Sequence, residues 1–294
     1  MNSIANREQL IFNQSVDSII KNIAIPPCPE LLLSLQKEMS KVDFSFEKIS
    51  NIIQKDPGIT AAVLKTVNSP FYGLSQKIGT VQQAVSFIGS AQIINLVSGF
   101  LLRNSFAKSS IPLTRFWDVS NKRSFCMYQL AKHLRNVPVD QAQCFGLFCD
   151  IGIPLLIQSK KQVYFDILRE ANLDLHAKFT EVEQKHLGTD HAILGSIMSR
   201  SWGVSPNICT AIVYHHDYSV FEETGFNPQV LAMLALNALS ELAIQRYSLL
   251  NENNEWSKFK YVVMNYLDWN DDDVEDAVEF LIKSLSNEES LISL

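Results

Sequence analysis

Near the middle of the chain the segment Gly146-Leu147-Phe148-Cys149-Asp150-Ile151-Gly152 sets a thiol beside a carboxylate, flanked by apolar residues. A thiolate is a soft metal ligand and a redox nucleophile, and a carboxylate ligates hard divalent ions or serves as a general base. Either use of Cys149 requires a lowered thiol pKa, and the nearest charge, the Asp150 anion, opposes ionisation; a buried, inert thiol is therefore the plainer reading. A buried Asp150 has to be satisfied, and helix-terminal N–H groups are its expected donors. Farther along, His191 and the run His215-His216-Asp217 supply imidazoles. Successive helical residues point about 100° apart, so only one of His215 and His216 is expected to face a given site.

The elements that must position these groups read as helices throughout. Asp56-Pro57, Ser205-Pro206 and Asn227-Pro228 each pair a capping side chain with a proline at the first helical position. Thr80-Val81-Gln82-Gln83 and Thr180-Glu181-Val182-Glu183 fit the capping box, with Gly89 and Gly188 as stops. A longer helix is expected from Phe116 to Arg135, and Asp140 is expected to cap the helix that carries Cys149 and Asp150. Helices follow over Asp190 to Trp202, Ser205 to His216 and Pro228 to about Gln245. Asn68 is expected to end a helix in the left-handed conformation, with Pro70 and Gly73 shaping the loop after it. Alternating strand patterns are hard to find, so the fold class expected is all-α.

Composition narrows the function classes. A chain of 294 residues with 47% hydrophobic residues can bury a substantial core without staples. Five cysteines with no C-x-x-C pair argue against a disulfide framework and a thiolate zinc site. The formal charge of −6 supplies no general attraction to nucleic acid or anionic lipid. Apolar runs such as Ile153 to Ile157 fall short of a membrane span, and the opening residues MNSIANREQLIF lack a secretory signal; a cytoplasmic location is expected. Serine-hydrolase elbows, Walker loops and dinucleotide-binding glycine patterns are absent. The acidic stretch Asp268 to Glu279 lacks the glycine and distant glutamate of a calcium loop, and reads as a solvated, capped helix start.

Several segments in order resemble one family, the HDOD domains of bacterial signalling proteins. They are Ile25-Pro26-Pro27-Cys28-Pro29, Asp56 to Thr60, Val67-Asn68-Ser69-Pro70-Phe71-Tyr72-Gly73, Ala84 to Gly89, Phe116-Trp117, Gly146 to Gly152, Asp190 to Gly195, and Trp202 through His216. The resemblance spans about residues 20 to 245. It implies an HD-like helical bundle with a packed amino-terminal helical subdomain: residues 1–110 as the amino-terminal part and 111–245 as the HD-like core; the residues Ser109-Ser110-Ile111-Pro112 themselves suggest a hinge near 110. Residues 246–294 would form an acidic helical extension, and its apolar residues Tyr261, Val262, Tyr266, Leu267, Trp269, Val278, Phe280 and Leu281 would be covered within the chain.

The resemblance also bears on the chemistry. Catalytic HD proteins hold divalent metal with a histidine, an adjacent His-Asp pair and a later aspartate; carried over, these fall at about Val119, at Cys149 and Asp150, and at about Asn237. One ligand of four survives. Related two-metal proteins use histidines near His191 and at His215-His216, so a vestigial pocket of Cys149, Asp150, His191, His215, His216 and Asn237 is implied. No cofactor is expected; an iron, manganese or zinc ion, if retained, would use Asp150, His191 and His215. The family-motif positions are Asp56, Asn68 and Ser69, and the loop Asn68 to Gly73 either faces the old pocket or a partner, or is a helix stop with a packed aromatic, Phe71 and Tyr72 serving as core or contact residues. The expected function is a non-catalytic signal-transduction module that binds a protein partner or small ligand, with no role for nucleic acid or membrane. The alternative is a divergent metal-dependent phosphohydrolase acting on a nucleotide or cyclic dinucleotide.

Overall fold

A computed structural model of the chain describes residues 23–69, 72–107, 112–134, 137–248 and 255–292. Among these there are fourteen α-helices, a 3-10 segment and no strand, as the helix punctuation predicts. They divide into two units, residues 27–107 with 283–292, and residues 23–26 with 112–282. Residues 23–26 and 255–282 thus belong with the HD-like core, whereas the sequence assigns them to its neighbours. The hinge expected at Ser109-Ser110-Ile111 lies outside the described residues, as do Arg135 and the loop positions Pro70 and Phe71.

The smaller unit is built on α1 (Glu30–Met39), α2 (Phe46–Gln54), α3 (Pro57–Val67), α4 (Val81–Ile88) and α5 (Ser90–Ser105). Asp56 caps α3 by accepting from the Ile59 N–H at 3.0 Å, with Pro57 at the first turn. The Thr80–Gln83 capping box opens α4, and Gly89 at φ +84° turns the chain through 118° into α5. Asn68 ends α3 without the left-handed backbone expected of it, at φ −82°. Its side chain does the work instead: Nδ2 donates to the carbonyls of Leu64 and Ile78, both at 2.8 Å, and Oδ1 accepts from the Ile78 N–H at 2.7 Å. An amide that bonds both ends of the loop needs no glycine-like φ.

The larger unit holds the sequence motifs. Its helices are α6 (Thr114–His133), α7 (Val139–Phe148), α8 (Gly152–Leu173), α9 (Phe179–Leu187), α10 (His191–Ser201), α11 (Pro206–Tyr214), α12 (Pro228–Tyr247), α13 (Glu255–Leu267) and the first half of α14 (Asp271–Ile292). The 3-10 segment Tyr218–Glu222 links α11 to α12. Helix α7 lies so close to α6 that a Cβ on Gly146 would sit 2.9 Å from the backbone of Ser124. At the other end of the motif, a Cβ on Gly152 would sit 1.9 Å from the His191 carbonyl oxygen, so the start of α8 abuts the start of α10. The two glycines therefore fix the place of the turn between them, where Cys149 and Asp150 stand.

Other local expectations change in detail. The N-cap of α7 is Pro138, with Asp140 inside the first turn. The box at α9 begins two residues earlier than expected, Glu181 accepting from the Lys178 N–H at 3.1 Å. Asn270 and Asp273 cap α14 reciprocally, Asn270 Oδ1 accepting from Asp272 and Asp273 and Asp273 Oδ2 from the Asn270 N–H. Val139–Lys160 is long and apolar enough to cross a membrane by length and composition, contrary to the reading of shorter runs, but two-thirds of it is buried inside this unit (67%) and helix gives way to a turn at Cys149 to Ile151. In the extension, Phe259 and Val263 pack with Tyr218, Ala235 and Ala238, and Val278 and Leu281 are fully buried, while Tyr261 is 73% exposed.

Candidate functional site: a buried histidine and carboxylate cluster

Asp150, His191, His215 and His216 converge inside the larger unit, each offering a ligand atom within 4.8 Å of the others. His191 is the first residue of α10, held by Asp190, whose carboxylate caps the helix through the Ile193 N–H at 2.8 Å. Its Nδ1 lies 2.6 Å from Glu183 Oε2 on α9, an oxygen that also accepts from the His191 backbone N–H at 3.0 Å. The other Glu183 oxygen accepts from the Tyr164 hydroxyl of α8 at 2.5 Å. Both Glu183 and His191 are fully buried. Burial works against a charged His191, but Glu183 and Asp150 outweigh it and raise its pKa to about 10. Its two ring nitrogens face the carboxylates of Glu183 at 2.6 Å and Asp150 at 3.6 Å.

Helix α11 ends at Tyr214, so His215 and His216 lie in the turn beyond it and both reach the cluster, contrary to the expectation of one. The helical angle between neighbours does not apply where the helix has stopped. His215 Nδ1 donates to the Ile212 carbonyl at 2.7 Å, which leaves Nε2 facing His191 Nε2 at 3.1 Å and Asp150 Oδ1 at 3.2 Å. His191 Nε2 is 3.6 Å from the same Asp150 oxygen. His216 Nδ1 lies 2.9 Å from Glu255 of α13, and its ring stacks on Phe179 at 5.0 Å. Burial and the neighbouring His215 push the His216 pKa down to about 4.

The second oxygen of Asp150 has a different partner. Arg123 of α6, 4% exposed, donates from Nη2 to Asp150 Oδ2 at 2.6 Å and to Glu241 Oε1 of α12 at 3.1 Å. Burial would raise the Asp150 pKa, but the guanidinium and the two histidines together hold it well below the carboxylate range. Beside this pair the Cys149 thiol faces Asn237 Oδ1 at 3.8 Å, and Asn237 Nδ2 reaches Glu241 at 3.4 Å. Burial pushes the Cys149 thiol well up, so it stays protonated. The Asp150 carboxylate is thus paired with side chains of α6, α10 and the turn after α11, where helix-terminal N–H groups were expected.

The donors test differently on the two sides of Asp150. His191 Nε2, His215 Nε2 and Asp150 Oδ1 form a triangle with edges of 3.1, 3.2 and 3.6 Å. Ligand atoms around one divalent ion at about 2.1 Å stand roughly 3.0–3.5 Å apart, and each of these rings has its other nitrogen fixed by a carboxylate or carbonyl, as metal-ligating histidines do. That face fits one ion, which would have to displace the His191 proton. The other face does not fit: Val119 is half-buried, Cys149 and Asn237 bond each other, and a guanidinium occupies Asp150 Oδ2.

The match to known proteins covers the same ground. A family model described as the HDOD domain matches residues 25–218. The chain belongs to the HDOD family. An uncharacterised Treponema pallidum (strain Nichols) protein is 21% identical over 198 residues, 66% of this HDOD chain and 38% of that protein, so this chain spans well under two-thirds of its length. Among solved structures, an HDOD domain protein of unknown function from Geobacter sulfurreducens superposes with a TM-score of 0.70 at 19% identity, covering 98% of this chain and 97% of the other. A Shewanella amazonensis SB2B protein named as a phosphohydrolase gives 0.70 at 18% identity over 94% and 97%. A Marinobacter aquaeolei VT8 protein named as a signal transduction protein gives 0.69 at 17% over 96% and 62%. These likenesses show the HDOD helical fold.

Of the residues singled out from sequence, Asp150, His191, His215 and His216 come together, Cys149 and Asn237 meet beside them, and Asp56, Asn68 and Ser69 lie in the other unit. Arg123, Glu183, Glu241, Glu255 and Tyr164 were missed. A signal for Arg123 existed: it stands one turn beyond Val119, on the same helix face as the position where the resemblance places a ligand.

Proposed function

We propose that this HDOD protein is a non-hydrolytic regulatory module of the cytoplasm, which transmits a cue by binding a small ligand or a signalling partner at the remnant HD pocket. One observation carries the reading: the single retained ligand of the family's usual metal centre, Asp150, is ion-paired with the buried Arg123. A guanidinium supplies a permanent positive charge without Lewis acidity or an exchangeable coordination position. Family membership and the fold shared with a protein named for signal transduction support the same reading. Regulation then requires a ligand with different affinities for two arrangements of the network around Asp150.

A second reading, a metal-dependent phosphohydrolase of nucleotides or cyclic dinucleotides, is favoured by the triangle of His191, His215 and Asp150 Oδ1. A divalent ion bound there would supply Lewis acidity toward a phosphate oxygen. His191 and His215 would hold it, with Glu183 and the Ile212 carbonyl fixing their rings. Metal analysis of tag-free protein, followed by phosphomonoesterase and phosphodiesterase assays with manganese, iron and zinc, separates the two. The regulatory reading expects at most one equivalent of metal and no turnover above buffer. Turnover that disappears in His215→Ala would overturn it.

A further inference from the structure

Among the described residues, the buried side-chain atoms with no hydrogen-bond partner include Nε and Nη1 of Arg123, Oγ of Ser120 and Oη of Tyr218. Their side chains are 4%, 1% and 6% exposed. Ser120 precedes Arg123 by three residues on α6, which puts both on one helix face. Tyr218 opens the 3-10 segment, within electrostatic reach of Glu241, Glu255, Cys149 and Arg123. Its ring is stacked on Phe259 at 3.5 Å and on Phe221 at 5.8 Å, so the hydroxyl is held in place.

An arginine in this position is unusual chemistry to leave unmet. Nε carries one proton and Nη1 two, none of which can act as an acceptor, and each buried donor left bare costs on the order of 1–3 kcal/mol, more when charged. Serine and tyrosine hydroxyls add two further donors that turn to suit a partner. What would satisfy the set is a cluster of acceptor oxygens, and charge-assisted bonds are strongest to anionic ones. The neighbouring Asp150 and Glu241 side chains keep 14% and 15% exposure, so the corner is not sealed from solvent.

We propose that Arg123, Ser120 and Tyr218 form an oxyanion-binding subsite, taking inorganic phosphate or the carboxylate or phosphate group of a small metabolite. This rests on the regulatory reading in treating the pocket as a binding site, and it names the class of ligand. The test is isothermal titration of the full chain with sodium phosphate and, separately, sodium acetate at constant ionic strength, with chloride as reference. Saturable binding of at least one of them is expected; its identity distinguishes the phosphate source from the carboxylate. Tyr218→Phe and Ser120→Ala, each removing one hydroxyl and little volume, should weaken binding by about ten-fold with an unchanged circular dichroism spectrum. Arg123→Lys, which keeps the charge but loses Nε and Nη1, should weaken it further. Failure of both anions to saturate overturns the proposal and leaves ordered water as the partner of these atoms, as does binding that all three variants leave unchanged. Neither result touches the regulatory reading, which falls on turnover and not on anion affinity.

Discussion

The regulatory reading turns on one pair of residues, Arg123 and Asp150. Nη2 of Arg123 joins two carboxylates, one from the turn after α7 and one from α12, and removing it strands both in a mostly buried setting. Arg123→Met is expected to destabilise the protein by about 3–5 kcal/mol, read as a fall in the urea midpoint at unchanged slope. Cys149 makes the complementary point. The thiol is fully buried and faces the Asn237 carbonyl oxygen, and burial keeps it protonated. Native-state alkylation followed by mass spectrometry should leave Cys149 unmodified while Cys28, which is part-exposed, reacts; all five thiols should react in denaturant. Rapid labelling of Cys149 in the native state would restore the redox reading that its neighbours argue against.

At the level of elements, glycines and one asparagine do most of the positioning. Gly152 lets the first turn of α8 touch the His191 carbonyl, and an added Cβ would sit 1.9 Å from that oxygen. Backbone cannot yield as a flexible side chain would, so Gly152→Ala should cost about 3 kcal/mol or more and displace His191. Chemical denaturation gives the cost, and loss of the His191 imidazole signal's coupling to its neighbours in NMR gives the displacement. In the smaller unit, the three hydrogen bonds from the Asn68 side chain close the loop between α3 and α4. Asn68→Ala should therefore lower stability by roughly 1–3 kcal/mol in thermal or urea unfolding. A stability indistinguishable from wild type would return Asn68 to the list of contact residues.

For the whole molecule, the instructive region is the one beyond the family match. Glu255 of α13 holds His216 and accepts from Lys258, and Phe259 stacks on Tyr218, so the larger unit is incomplete without residues 255–282. Phe259→Ala should cost about 3–5 kcal/mol by urea unfolding, and a chain ending at Ser248 should lose the cooperative transition. What the sequence by itself determined was local or ordinal: the all-α class, the caps at Asp56, Thr80 and Asn227, and the order of motifs that marks the family. These are written in neighbouring residues, because capping bonds and proline starts span three or four positions. Only the tertiary structure decided the partners of the site. Arg123 and Asp150 stand 27 residues apart and Arg123 and Glu241 stand 118 apart, and nothing in their local context tells a solvated charge from a buried one. The same holds for His191, whose raised pKa depends on a glutamate from α9 and an aspartate from the turn after α7. Burial and pairing across helices set the charge of each group, and those are properties of the packed core that no residue carries alone.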